Sequence, residues 1–167
     1  VEMVYVRALE LCSQVGDASQ SYQAIVGLLR FNLYRGKAWT AFKLAEQLLA
    51  LAQDLKDEYL PRARVLYGEI LYRMGEFGQA QEQLSQAVAA YPPDQFPVDA
   101  HLFGNDTLVL SQVLLGMSLW QLGYPDQALQ AGLAGLSRAQ KISHPFTLVC
   151  GLYFTAVLHE FRREPQA

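Results

Sequence analysis

Apolar residues recur along this chain at spacings of three and four, the signature of helices that bury one face. In residues 77–91 the small and apolar positions Ala80, Leu84 and Ala87 are separated by Gln, Glu and Ser. In residues 38–55 the same rhythm runs through Ala41, Ala45, Leu48 and Ala52. Isolated Val, Tyr and Phe residues are frequent, yet no segment alternates strictly enough to require a strand. The pattern predicts an all-α chain of about eight helices, at 2–15, 19–34, 38–55, 58–74, 77–91, 106–122, 126–141 and 145–162.

The helices come in pairs. Residues 67–92, YGEILYRMGEFGQAQEQLSQAVAAYP, read as helix, tight turn, helix. Gly68 and Leu71 lie on the first helix, Gly75 in the turn, Ala80, Leu84 and Ala87 on the second, and Pro92 at its stop. Small residues there let two antiparallel helices approach closely, and a turn glycine supplies the positive φ that helix ends favour. The pattern recurs at Gly116, Leu119, Gly123, Ala128, Gly132 and Gly135, and more weakly around Gly36. The turn glycines Gly36, Gly75 and Gly123 are 39 and 48 residues apart. The connections Leu9-Cys12-Val15-Asp17, Leu49-Ala52-Leu55-Asp57 and Leu136-Ala139-Ile142-His144 share one spacing. Three hairpins follow, at 19–55, 58–91 and 106–141, with half-repeats at 1–15 and 145–162, all in a single repeat domain.

Composition narrows the class of function. Of 167 residues, 51% are hydrophobic, enough for a packed core and too many for disorder. Thirteen basic residues face sixteen acidic ones, and the signs are mixed along the chain, so the basic stripe that nucleic-acid binding requires is not expected. Residues 107–125 lack charge, but Ser111, Gln112, Ser118 and Gln121 interrupt them and Asn105-Asp106 and Pro125-Asp126 bound them. A helix buried on most sides is expected rather than a membrane span. Cys12 and Cys150 lie far apart in apolar surroundings, which suits a reducing, cytoplasmic compartment and core packing rather than nucleophilic chemistry. The chain opens on Val1 with no secretory signal pattern and reads as an excised segment whose two ends are cut surfaces.

Catalytic signatures are missing: there is no GxSxG, no GxxxxGK[ST], no HExxH and no CxxC. Residues 92–105, PPDQFPVDAHLFGN, are the one long aperiodic stretch and account for the wider spacing. Asp94, Asp99, His101 and Asp106 are chemically able to hold a metal or to act as an acid-base pair. Asn105-Asp106-Thr107 before an apolar helix reads more simply as an N-cap. His144 before Pro145 reads as a helix start, and His159 as a helix-end residue facing the negative end of the dipole. No metal and no cofactor is expected.

The spacing of Gly68, Leu71, Gly75, Ala80, Leu84, Ala87 and Pro92 resembles the tetratricopeptide repeat, a helical hairpin of about 34 residues. This chain departs from the family in having no Trp upstream of Gly68 and in its longer spacings. Three strings, HLFGND at 101–106, LWQLGYPDQALQ at 119–130 and SHPFTLVCGLYFTAVLHEFRRE at 143–164, resemble the C-terminal repeat region of multidomain bacterial predicted ATPases. In those proteins a nucleotide cyclase or Ser/Thr kinase domain precedes the ATPase.

The resemblance implies a right-handed α-solenoid whose first helices line a concave face. Inner positions carried over from Gly68 are Arg62, Val65, Glu69, Tyr72 and Arg73. Those from Leu29 are Arg30, Leu33 and Tyr34, and those from Gly116 are Val113, Met117, Trp120 and Gln121. Arg30, Tyr34, Arg62, Glu69, Tyr72, Arg73, Met117, Trp120 and Gln121 are the expected protein-binding positions, of types enriched in interfaces. Core packing competes for Tyr34 and Trp120. Val65 and Glu69 replace the lysine and asparagine of repeats that clamp a chaperone's carboxylate, so that partner is disfavoured. Glu69 and Glu160, two repeats apart, are the only inner acids, which speaks against hydrolysis. The implied function is a non-catalytic interaction or regulatory arm of a larger signalling ATPase or cyclase. Its partner would be a protein or peptide, the upstream domain of the same polypeptide included, and its exposed terminal helices would pair with another copy. The alternative is a module that senses a small molecule or nucleotide on the concave face.

Overall fold

The computed structural model describes residues 2–55, 59–91 and 104–163. Among these lie eight helices: α1 (Glu2–Val15), α2 (Ala18–Tyr34), α3 (Ala38–Gln53), α4 (Tyr59–Met74), α5 (Phe77–Ala90), α6 (Thr107–Gln121), α7 (Pro125–Ile142) and α8 (Pro145–Arg162). No strand occurs among the described residues. α2 pairs with α3, α4 with α5 and α6 with α7, while α3 packs on α4, α5 on α6 and α7 on α8. This is the serial stacking of an α-solenoid, in which each hairpin buries its face on the next.

Local chemistry sets the helix ends. Asp17 caps α2, its carboxylate accepting from the Gln20 N–H at 3.0 Å and from the Ser19 hydroxyl at 3.1 Å. The Gln20 bond chiefly holds that carboxyl below the usual aspartate range. Pro125 and Pro145 occupy the first turns of α7 and α8, where a missing N–H costs nothing. The chain turns at Gly36 and Gly75 with φ of 74° and 86°, and the N–H groups of Lys37 and Glu76 return to the carbonyls of Asn32 and Leu71.

The hairpins close through small residues. Ala41, Ala45, Ala80, Ala87 and Ala128 are fully buried where two helices touch. A Cβ on Gly68 would stand 2.7 Å from Leu84 Cγ, and one on Gly116 would stand 2.7 Å from the Ala128 carbonyl oxygen. A side chain there would have to push the paired backbones apart. α6 is the most enclosed helix, with nine of its fifteen residues buried, as expected for 107–125. Its serines bury no unpaired hydroxyl, because Ser111 and Ser118 donate to the carbonyls of Thr107 and Leu114 at 2.9 Å. No described helix is long and apolar enough to cross a membrane.

One buried ion pair fastens the third hairpin. Asp106, with 0% exposure, caps α6 by accepting from the Val109 N–H at 2.7 Å. Its two oxygens also take the Arg138 guanidinium of α7, Nε at 2.9 Å and Nη2 at 2.7 Å. The Arg138 guanidinium lies over the Tyr91 ring, and the Asp106 N–H donates to the Thr147 hydroxyl of α8 at 3.1 Å. That hydroxyl is 3.0 Å from Nδ1 of His144, the α8 cap. Asp106 is therefore a structural cap, as the Asn105-Asp106-Thr107 string suggested.

Four stability outcomes follow from these contacts. Gly116→Ala should cost about 1–3 kcal/mol in denaturant unfolding. Gly78→Ala, on α5 with open space at its Cβ, should instead gain about 0.4–1 kcal/mol. Asp106→Ala, which removes both the α6 cap and the carboxylate paired with Arg138, should cost about 3–5 kcal/mol. Asp106→Asn, which keeps a capping oxygen, should lose less.

Candidate functional site

First helices of three successive units meet on the inner face. Tyr72 and Arg73 of α4, Leu114 and Met117 of α6, and Tyr153, Phe154 and Val157 of α8 enclose a cavity of about 290 Å³. α8 packs on α6 as well as on α7, and so it reaches across α6 towards α4. The floor is aliphatic and sulfur-bearing, and the rim carries two phenols and a guanidinium. Such a cavity takes a bulky apolar side chain and offers polar partners to the backbone around it.

The rim is pre-set by short-range contacts. Arg73 donates from Nε at 3.1 Å and Nη2 at 2.9 Å to the same Oε1 of Glu69, one turn earlier. Burial pushes the Tyr72 phenol above its usual pKa, opposed by a hydrogen bond with the Gln121 side chain and by the Arg73 charge. Cys150 of α8 is raised too, first by burial and then by the Glu69 carboxylate. A thiol held protonated is the opposite of what nucleophilic catalysis requires. Among the described residues no three His, Cys, Asp or Glu side chains gather to hold a metal.

The expected binding positions divide into three groups. Arg73, Gln121 and Tyr34 are exposed, Tyr34 at 75%, and Tyr72 is half-buried. Arg30 is half-buried, and Trp120 is half-buried against Phe161, their rings stacked at 5.5 Å. Arg62, Glu69 and Met117 are buried, at 2%, 9% and 6% exposure. Arg62 lines a narrow crevice with Arg30, Asn105 and Thr107. Glu69 acts on the groove through Arg73, and Met117 forms its floor. Asp94, Asp99 and His101 lie outside the described residues. Tyr153 and Val157 were not among the expected positions, although the Gly68 offsets reckoned from Ala156 reach both.

Residues 61–86 and 109–131 match the family described as tetratricopeptide repeat. They cover most of the second hairpin and the beginning of the third, the two that hold the α4 and α6 walls of the cavity. No curated protein matches the chain. The crystal structure of BtubC (BKLC) from P. vanneervenii is similar in fold, with a TM-score of 0.75 at 17% identity, over 99% of this chain and 68% of that one.

Cys150 provides a check on the groove geometry. In a Cys12→Ser background, the pH midpoint for alkylation of Cys150 should lie above that of a free cysteine. Glu69→Gln should lower the midpoint without restoring the free value, since burial is the larger cause. An unchanged midpoint would show that α8 does not face α4.

Proposed function

We propose that this chain is a non-catalytic docking arm of a larger bacterial signalling ATPase or cyclase, working in the cytoplasm. The convergence of α4, α6 and α8 on one inner cavity is the observation that carries this reading. A segment of a partner protein, or of the domain upstream in the same polypeptide, lays a bulky apolar residue into the cavity. Tyr72 and Tyr153 contribute rigid aromatic area at low entropic cost, and Arg73 supplies the charged contact. The three strings that resemble multidomain predicted ATPases support the upstream domain as the first partner to try. The exposed apolar residues of α1 (Met3, Val4, Val15) and of α8 (Phe146, Val149, Leu152) support pairing of the terminal helices with another copy.

The test is binding of the upstream region, supplied as a separate polypeptide, to this chain. Replacing Tyr72, Arg73 and Tyr153 together with alanine should weaken it at least tenfold, about 1.4 kcal/mol or more, while helicity is retained. Equal affinity of the variant and the parent would remove the groove from the interface.

A further inference from the structure

Charge is unevenly spread along the chain: residues 74–137 hold six acidic residues and no Lys or Arg, and the opposite excess lies near the first hairpin's turn. Residues 30–43 contain Arg30, Arg35, Lys37 and Lys43 and no acidic residue, whereas the rest of the chain has nine basic residues against sixteen acidic. The α2–α3 turn gathers these cations at one end of the first hairpin, beside two large exposed rings. Tyr34 is 75% and Trp39 63% exposed.

The aromatic surface there is ordered. Trp39 stacks on Phe42 with centroids 5.4 Å apart and planes 14° from parallel, and Phe42 meets Tyr67 of α4 at 5.6 Å. Lys43 Nζ sits 5.0 Å from the Trp39 centroid, and the Arg35 guanidinium sits 5.5 Å from that of Phe31. The carboxylates already at this edge are Glu46, 2.8 Å from Lys43, and Glu2, 3.4 Å from Lys37. Both pairs are solvent-exposed, so an incoming carboxylate displaces them at little cost. On the inner side of the same turn, a cavity of about 430 Å³ opens between α1 and α2, with Tyr5, Phe31, Arg30 and Tyr34 in its wall.

We propose that this edge is a second docking surface, taking an acidic segment of a partner protein that carries a bulky apolar residue. Carboxylates of the segment meet Arg35, Lys37 and Lys43, its apolar residue enters the cavity beside Tyr34, and Trp39 packs along its backbone. A short acidic segment feels only the local excess of positive charge. A bilayer or a duplex extends beyond the ~8 Å screening length at physiological salt and meets the net negative remainder of the chain. The surface shares no residue with the Tyr72, Arg73 and Tyr153 groove, so it stands or falls apart from it.

The experiment is selection of a displayed random dodecapeptide library on the immobilised chain, followed by titration of the enriched peptides. Acidic sequences with one or more large apolar residues should be enriched. Their affinity should fall about tenfold in Trp39→Ala and in the combined variant Arg35→Gln, Lys37→Gln, Lys43→Gln, and should weaken with rising salt. Tyr72→Ala with Arg73→Ala should leave it unchanged. These side chains are exposed except Tyr72, which is half-buried, and circular dichroism confirms that the variants remain folded. Enrichment of neutral or basic peptides, or acidic peptides bound equally by the edge variants and the parent, would overturn the proposal. So would edge-dependent binding of phosphatidylserine vesicles or duplex DNA in place of the peptides. Enriched peptides that depend on Tyr72 and Arg73 alone would uphold the groove and overturn the edge.

Discussion

Everything in this molecule depends on how closely two helix backbones approach within a hairpin. At Gly116 the distance leaves no room for a methyl group, since the Ala128 carbonyl already occupies the place. At Gly68 the Leu84 side chain fills the same space, and buried Ala80 and Ala87 face it from α5. Dispersion contacts reward that closeness only when no side chain intervenes, and so the small residues set the hairpin geometry. Once the hairpins are fixed, each second helix offers one remaining apolar face, and the next unit stacks there. The inner cavity is a by-product of that stacking, formed where α8 passes over α6 and brings Tyr153 opposite Tyr72.

Polar groups then fix the register that packing alone leaves loose. Asp106 serves three partners at once: the first turn of α6, Arg138 on α7 and, through its backbone N–H, Thr147 on α8. A buried carboxylate is expensive unless its lone pairs are filled, and here they are filled by a backbone donor and a bidentate guanidinium. The same network places α8 relative to α6, on which the groove depends. Arg73 and Glu69 repeat the principle at the rim, where Glu69 aims a guanidinium without contributing a surface of its own.

The hairpin architecture was legible because its signals are local. The recurrence around Gly36, Gly75 and Gly123 marks the turns, the three- and four-residue spacing marks the helices, and Asn105-Asp106-Thr107 marks the start of α6. What escaped are pairings between residues distant in sequence. Nothing near Asp106 announces Arg138, 32 positions later. Inner-face offsets do not give depth, and so Arg62 and Met117, expected to contact a partner, are buried. Tyr153 lies on α8, and its place in the groove depends on how far α8 leans over α6. The basic edge at residues 30–43 is visible in the sequence, but a charge count over the whole chain dilutes it below notice.

A solenoid of this kind works by presenting a surface, so the decisive observation is where a partner lies on it. Amide chemical-shift mapping of the isotope-labelled chain, titrated with the domain proposed to precede it, reports this residue by residue. The account predicts that the largest shifts run along one line, from Tyr72 and Arg73 through Met117 to Tyr153 and Val157. Shifts confined to the outer helices α3, α5 and α7, with that line unmoved, would contradict it.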